Sequence, residues 1–202
     1  MSSHKPIASR RSVRLAEAIH AMALGLWGGA LIASGIVAAI IFPMMRDANV
    51  QLPAFANYPD PHWPIAAGQV MNRAFLIVDG LGVAALAVAF VTFVLVVLQR
   101  KTRHIGAATA IRAIALGMLA VVTGYALASL RPSMQSALRE FWGAAKRGDV
   151  ATAAVHRDAF DALHPTASFV MGTQLVLILV ALIAGIMCAT VGPREPGADN
   201  AN

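Results

Sequence analysis

The chain has 202 residues, of which 58% are hydrophobic and only 13% charged, with a formal net charge of +6. Soluble globular domains carry about a quarter charged residues, so this deficit argues against a water-soluble domain and makes lipid the solvent for much of the surface. The basic residues gather in two clusters beside apolar runs, not in a stripe interleaved with aromatics, which argues against a nucleic-acid-binding surface.

Residues 1–14 are polar and carry Lys5, Arg10, Arg11 and Arg14 with no acid, so they read as a disordered basic tail. Ser9-Arg10-Arg11 before an apolar run has the outline of a twin-arginine export signal. Glu17 interrupts that run, the run is too long for a signal core, and no small-x-small cleavage site closes it. The expectation is therefore an uncleaved first span over about 15–42, stopped by Pro43. Gly25 and Gly29 are four apart on it, a spacing that lets two helices approach closely.

The next stretch holds Pro53, Pro59, Pro61 and Pro64, which forbid a continuous helix. Arg46 and Arg73 balance Asp47 and Asp60, and Trp63 suits the headgroup level. A second span is expected over about 74–98, with Asp79 near its outer end. An Asp at a span's centre costs about 2.5–3.5 kcal/mol to insert, which the neighbouring apolar residues offset. Gln99–Arg112 is the second basic cluster, with Arg100, Lys101, Arg103 and Arg112 and no acid. A third span follows over about 107–130, with Gly117 and Gly124 as a second small-residue line, and ends at Arg131-Pro132.

Residues 133–163 are polar and mixed in charge. Leu138, Phe141 and Trp142 among Arg139, Glu140 and Lys146 form a helix-like pattern, and Ala151–Leu163 forms a second. Both are expected as short amphipathic helices lying on the outer interface. The fourth span is expected over about 166–191 after a turn at Pro165, and 192–202 form a polar tail. The single cysteine, Cys188, permits no intrachain disulfide and reads as a small buried residue. Residues 15–191 thus read as one all-α domain, an integral membrane four-helix bundle. The two acid-free basic clusters belong inside by the positive-inside rule, so both termini are expected in the cytoplasm of a bacterial inner-membrane protein.

Three stretches together resemble the family of four-span proteins that includes transmembrane protein 205, a domain of unknown function in bacteria. They are His20-Ala-Met-Ala-Leu-Gly-Leu-Trp-Gly-Gly, Ala67-Gly-Gln-Val-Met-Asn-Arg-Ala-Phe75, and Phe160-x-x-Leu-His164-x-x-Ala-Ser168. The similarity covers roughly residues 15–190 and implies a four-helix membrane fold, but no reaction. Family members commonly have an asparagine about a turn and a half after the position of His164. Here Val170 stands near that place, with Gln174 a turn further on.

Ionisable residues within spans are costly, so each is a candidate site residue. Glu17 and His20 are three apart on one helix face at the inner end. Glu-x-x-His is a di-iron ligand pattern, but it occurs once where two copies are needed. The expectation is that Glu17 pairs with Arg112 or Arg14 and that His20 hydrogen-bonds within the bundle. The outer candidates are Asp79, Asp161, His164 and Gln174. Asp161 and His164 are three apart, which suggests a hydrogen bond capping the turn before the last span. His62, His156 and His164, with Met44, Met45 and Met134, form the only donor set suited to copper, though without tight ligand spacing. A haem would need His20 and His104, which lie on one side.

No nucleophile elbow, His-Glu-x-x-His, P-loop or dinucleotide fingerprint is present. No sustained polar face suggests a pore. The leading expectation is a non-enzymatic scaffold or accessory subunit with no cofactor, in contact with lipid and with a second copy or another membrane protein. The competing one is a copper- or haem-handling protein.

Overall fold

The computed structural model describes residues 7–99 and 106–190. Helix α1 spans Ile7–Asp47 and α2 spans Trp63–Gln99. Helix α3, Ala107–Tyr125, runs through a π-helical turn, Ala126–Leu130, into α4, Arg131–Arg147. Helix α5 spans Val150–Thr190. Among the described residues there is no strand, and the fold is all-α as expected.

Four stretches of 37–41 residues are long and apolar enough to cross a membrane. About 20 residues suffice for a ~30 Å hydrocarbon core, whereas 41 residues at 1.5 Å each reach roughly 60 Å. Each helix therefore extends well past what a bilayer needs. At most 33% of any of the four apolar windows is buried within the chain. The outward faces carry Leu26, Ile40, Ile77, Val121, Phe169 and Ile186, an apolar belt that water would not tolerate.

Helix α1 lies along α2, and α3 and α4 lie along α5. Contacts of α1 with α5 join the two pairs, while α2 and α3 meet over a short stretch only. The central core sets the large side chains Leu24, Trp27, Leu116, Leu119 and Ile178 against Ala85, Ala89 and Ala181. Alternation of large and small is what lets the helices interdigitate.

The expected interfacial helices are not separate elements. The pattern at Leu138, Phe141 and Trp142 belongs to α4, which continues the third span upward, and Ala151–Leu163 is the first part of α5. The apolar face of α4 is not left for a membrane surface. Leu138, Phe141, Ala144 and Ala145 are buried against Phe55 and Tyr58 of the proline-rich loop and Ala153 of α5. That second core holds the helices upright.

Prolines likewise fail to stop the helices. Pro43 lies inside α1 and Pro165 inside α5. Each removes one hydrogen bond, but packing on both sides of it carries the helix through. Ile41 and Met45 flank Pro43 against Ala67 and Met71, and Leu163 and Ala167 flank Pro165 against Leu130, Met134 and Val170. The π turn ends two residues before Pro132, and the Arg131 N–H bonds the Ala126 carbonyl, five residues back. A proline ring clashes with the carbonyl four residues earlier in a regular helix, and the wider turn gives that carbonyl room.

Other boundaries shift too. Helix α1 begins at Ile7, so the second half of the expected disordered tail is helical, and α2 begins at Trp63 rather than near 74. Trp63 packs edge-on against Phe42 with ring centroids 6.5 Å apart. The expected tail 192–202 lies outside the described residues.

The α4–α5 reversal takes two residues. Gly148 adopts φ +75 at the end of α4, its N–H reaching Ala145 and the Asp149 N–H reaching Ala144. Asp149 then caps α5 by accepting the Thr152 N–H at 3.1 Å. The Thr152 hydroxyl and amide hold the Asp149 carboxyl below its ordinary value. A lowered carboxylate favours the fold above its unfolded pKa, so this cap is complete above about pH 4 and is lost as pH falls through the folded value. A Cβ on Gly148 would lie 3.0 Å from the Asn57 carbonyl oxygen as well as strain the left-handed backbone. Gly148→Ala is expected to lower stability by about 1–3 kcal/mol, read as the shift in thermal unfolding in detergent.

Candidate functional site

Polar side chains collect at the two ends of the bundle, with the apolar core between them. At the end bearing the proline-rich loop, the helices line a half-open chamber of about 900 Å³. Three helices feed it polar residues at heptad-like spacing. Helix α2 supplies Asn72 and Asp79, α4 supplies Arg131 and Gln135, and α5 supplies Arg157, Asp161, His164 and Ser168. Positions three, four or seven apart share one helix face, so each set points the same way. Apolar and aromatic side chains make up most of the remaining wall, and Trp27 of α1 lines its deep part.

Most of these polar groups are paired. Arg131 Nε lies 2.5 Å from Asp79 Oδ2, and its guanidinium sits 5.1 Å above the Phe75 ring. Asn72 and Gln135 exchange amide hydrogen bonds between α2 and α4. Gln174, buried deeper, donates to Thr123 Oγ1 at 3.1 Å. Arg157 lies 3.1 Å from Asp60 Oδ2, which also accepts the Tyr58 hydroxyl at 3.0 Å. Burial, and then the Asp60 carboxylate, hold the Tyr58 phenol above its ordinary value, so it stays a donor.

The opposite end holds a buried ionic cluster. Arg112 of α3 is 2% exposed, and its Nη2 lies 2.7 Å from Glu17 Oε2 of α1. Its Nε donates to His20 Nε2 at 3.2 Å. An arginine N–H can only donate, so the His20 proton is on Nδ1, 3.0 Å from the Ala89 carbonyl and 3.1 Å from Thr92 Oγ1. The guanidinium lies 5.6 Å above Phe93, and Gly185 of α5 leaves it space. One arginine of α3 thus links α1, α2 and α5.

The structure sorts the sequence candidates into these places. Glu17 and His20 join Arg112, so the expected Glu17–Arg112 pair forms. Arg112, read from sequence as part of the basic loop, is buried inside α3 instead. Asp79, Asp161, His164 and Gln174 all line the chamber. The expected Asp161–His164 hydrogen bond does not form. Helix α5 runs straight through Pro165, so there is no turn to cap, and His164 packs on Phe160 with centroids 5.7 Å apart.

His62, His156 and His164 are not brought together. His62 Nδ1 accepts the Leu52 N–H at 3.0 Å and Nε2 faces the Tyr58 carbonyl at 3.1 Å, so both ring nitrogens organise the loop. His156 is half-buried on α5 and is not among the chamber's lining residues. Among the described residues no group of three or more His, Cys, Asp or Glu side chains converges. His104, paired with His20 in the haem reading, lies outside the described residues.

Gly25, Gly29, Gly117 and Gly124 do not serve helix packing within the chain, because a Cβ on any of them would meet nothing within 4 Å. The close approaches are at Gly28, against Ile178, and at Gly82, against Trp27. Sequence reasoning missed Asn72, Arg131, Gln135 and Arg157 as one group. Their spacing on each helix was the available signal, but each stripe is only two or three turns long, at one end of an otherwise apolar helix.

No family model matches the chain, and no curated protein or solved structure matches it.

Proposed function

We propose that the chain is a multi-pass bacterial inner-membrane protein, akin to the transmembrane protein 205-like family, that holds a small amphipathic molecule rather than catalysing a reaction. It would act as an accessory or scaffold component. The observation that carries this reading is the chamber. Its volume of about 900 Å³ falls in the range of small-molecule sites, about 300–1,000 Å³, and such sites pair apolar walls with a few placed polar groups. The apolar core around Trp27, Leu119 and Ile178 lies between the chamber and the Arg112 cluster, which favours holding over conduction.

The positive-inside rule supports an orientation with both termini in the cytoplasm and the chamber end facing out. Arg112 no longer counts toward the inner charge, but Arg100, Lys101 and Arg103 still do.

Native mass spectrometry of the full chain, released from its own membrane in a mild detergent, tests the reading. Wild-type protein is expected to carry a bound small molecule. Ala126→Trp, which fills the chamber from the π turn, is expected to lose it while unfolding at a similar temperature. An empty wild-type protein, or a guest retained by the filled variant, would contradict the reading.

A further inference from the structure

We infer that the chamber selects a lipophilic organic cation: an ammonium- or phosphonium-type centre carrying an apolar body. This rests on the ligand-holding reading and names the chemistry of its guest.

The argument begins with charge. Three carboxylates line the chamber, those of Asp60, Asp79 and Asp161, against two guanidinium groups, those of Arg131 and Arg157. Each guanidinium already has a carboxylate, Arg131 with Asp79 at 2.5 Å and Arg157 with Asp60 at 3.1 Å. Arg157 is further shared with the exposed Asp158 at 4.0 Å. Asp161 has no hydrogen bond or ion pair among the described residues and is exposed at the chamber wall. Counting the carboxylates and guanidinium groups alone, the chamber's lining is one negative in excess.

That surplus decides between guests of opposite sign. An anion entering the chamber would compete with the carboxylate already on each guanidinium, and would still face Asp161. A cation needs to displace nothing, because Asp161 is already free. The asymmetry is larger at the Arg131–Asp79 pair, whose side chains are 21% and 27% exposed, than at the more hydrated Arg157–Asp60 pair, at 43% and 42%.

The walls point the same way. Trp142 and Phe160 line the chamber from α4 and α5. Aromatic faces attract cations within about 6 Å of the ring centre and give anions nothing comparable. Arg131 over Phe75 shows this geometry within the chamber itself. Apolar side chains such as Leu127 and Met171 offer the guest's body a dry surface.

The test uses two probes of nearly the same size and shape but opposite charge, tetraphenylphosphonium and tetraphenylborate. Equilibrium dialysis is run on the full chain in a nonionic detergent, against protein-free micelles. Tetraphenylphosphonium is expected to bind saturably, one per chain, and at least about tenfold tighter than tetraphenylborate. Asp161→Asn is expected to weaken the cation about tenfold, Asp161→Glu to restore it, and Ala126→Trp to abolish it.

Tetraphenylborate binding as tightly, or Asp161→Asn without effect, would overturn the cation assignment while leaving the chamber reading intact, provided that Ala126→Trp still blocks binding. Failure of both probes overturns the cation assignment as well. In that case the native mass spectrum decides the chamber reading separately: a co-purifying guest keeps it, and an empty protein removes it.

Discussion

Arg112→Ala is expected to destabilise the bundle by about 3–5 kcal/mol, the largest effect of any single substitution considered for this protein. The arginine is 2% exposed and joins Glu17, His20 and the Phe93 ring. Removing it takes the Arg112 guanidinium away from the Glu17 carboxylate, which is 18% exposed. It also leaves His20 Nε2 without its donor in a buried site, and opens a void beside Gly185.

Arg112→Lys is expected to recover little. A lysine's single ammonium cannot serve Glu17 and His20 from two separate nitrogens, as the planar guanidinium does. The measurement is unfolding of each variant in mixed micelles, with Glu17→Gln and the double variant completing a cycle. The double variant should lose clearly less than the sum of the singles. Additive losses would mean that the 2.7 Å Glu17–Arg112 pair carries no coupling.

The second large effect is expected at Gly82. A Cβ there would sit 2.7 Å from Trp27 Nε1 and 2.8 Å from Cε2. Neither is the tip of a flexible side chain. Trp27 is 1% exposed and packed between α2 and α5, so the ring can step aside only by disturbing that packing or by moving into the chamber that it lines. Overpacking of this kind costs about 1–3 kcal/mol. Gly82→Ala should fall in that range, while Gly80→Ala, two residues away with open space around it, should be near neutral. Trp27→Phe should relieve much of the Gly82→Ala cost, because it removes the atoms that clash. Because Trp27 also lines the chamber, Gly82→Ala should weaken guest binding along with stability.

What could be read from the sequence follows from which forces act locally. Four apolar runs announce four helices because lipid demands an internally bonded backbone of that length. Glu17 and Arg112 could be paired on paper because a buried charge requires a partner. The sequence did not reveal that Pro43, Pro132 and Pro165 would be tolerated. Their local penalty is real, and only contacts with other helices, or the π turn before Pro132, overcome it.

The same limit hid the chamber. Asp79, Asp161, His164 and Gln174 were each visible as costly polar residues, but their convergence depends on α4 and α5 standing upright as extensions of the spans. The amphipathic face of α4 looked like a membrane-surface pattern because its true cover, Phe55 and Tyr58, lies some eighty residues earlier in the chain. The glycine lines misled for a related reason. Spacing shows that two helices could approach, but not that another helix of this chain lies on that face.

The most direct test of the account is thiol labelling from one side of the membrane. Ser168→Cys places a thiol on the chamber wall in a Cys188→Ser background, and Gln99→Cys places one at the opposite end of the bundle. In intact spheroplasts a membrane-impermeant maleimide should label the first and not the second, and tetraphenylphosphonium should slow labelling of the first. Inverted vesicles should reverse the pattern. Labelling of Gln99→Cys from outside, or a Ser168→Cys thiol that reacts from neither side, would contradict an outward-facing chamber.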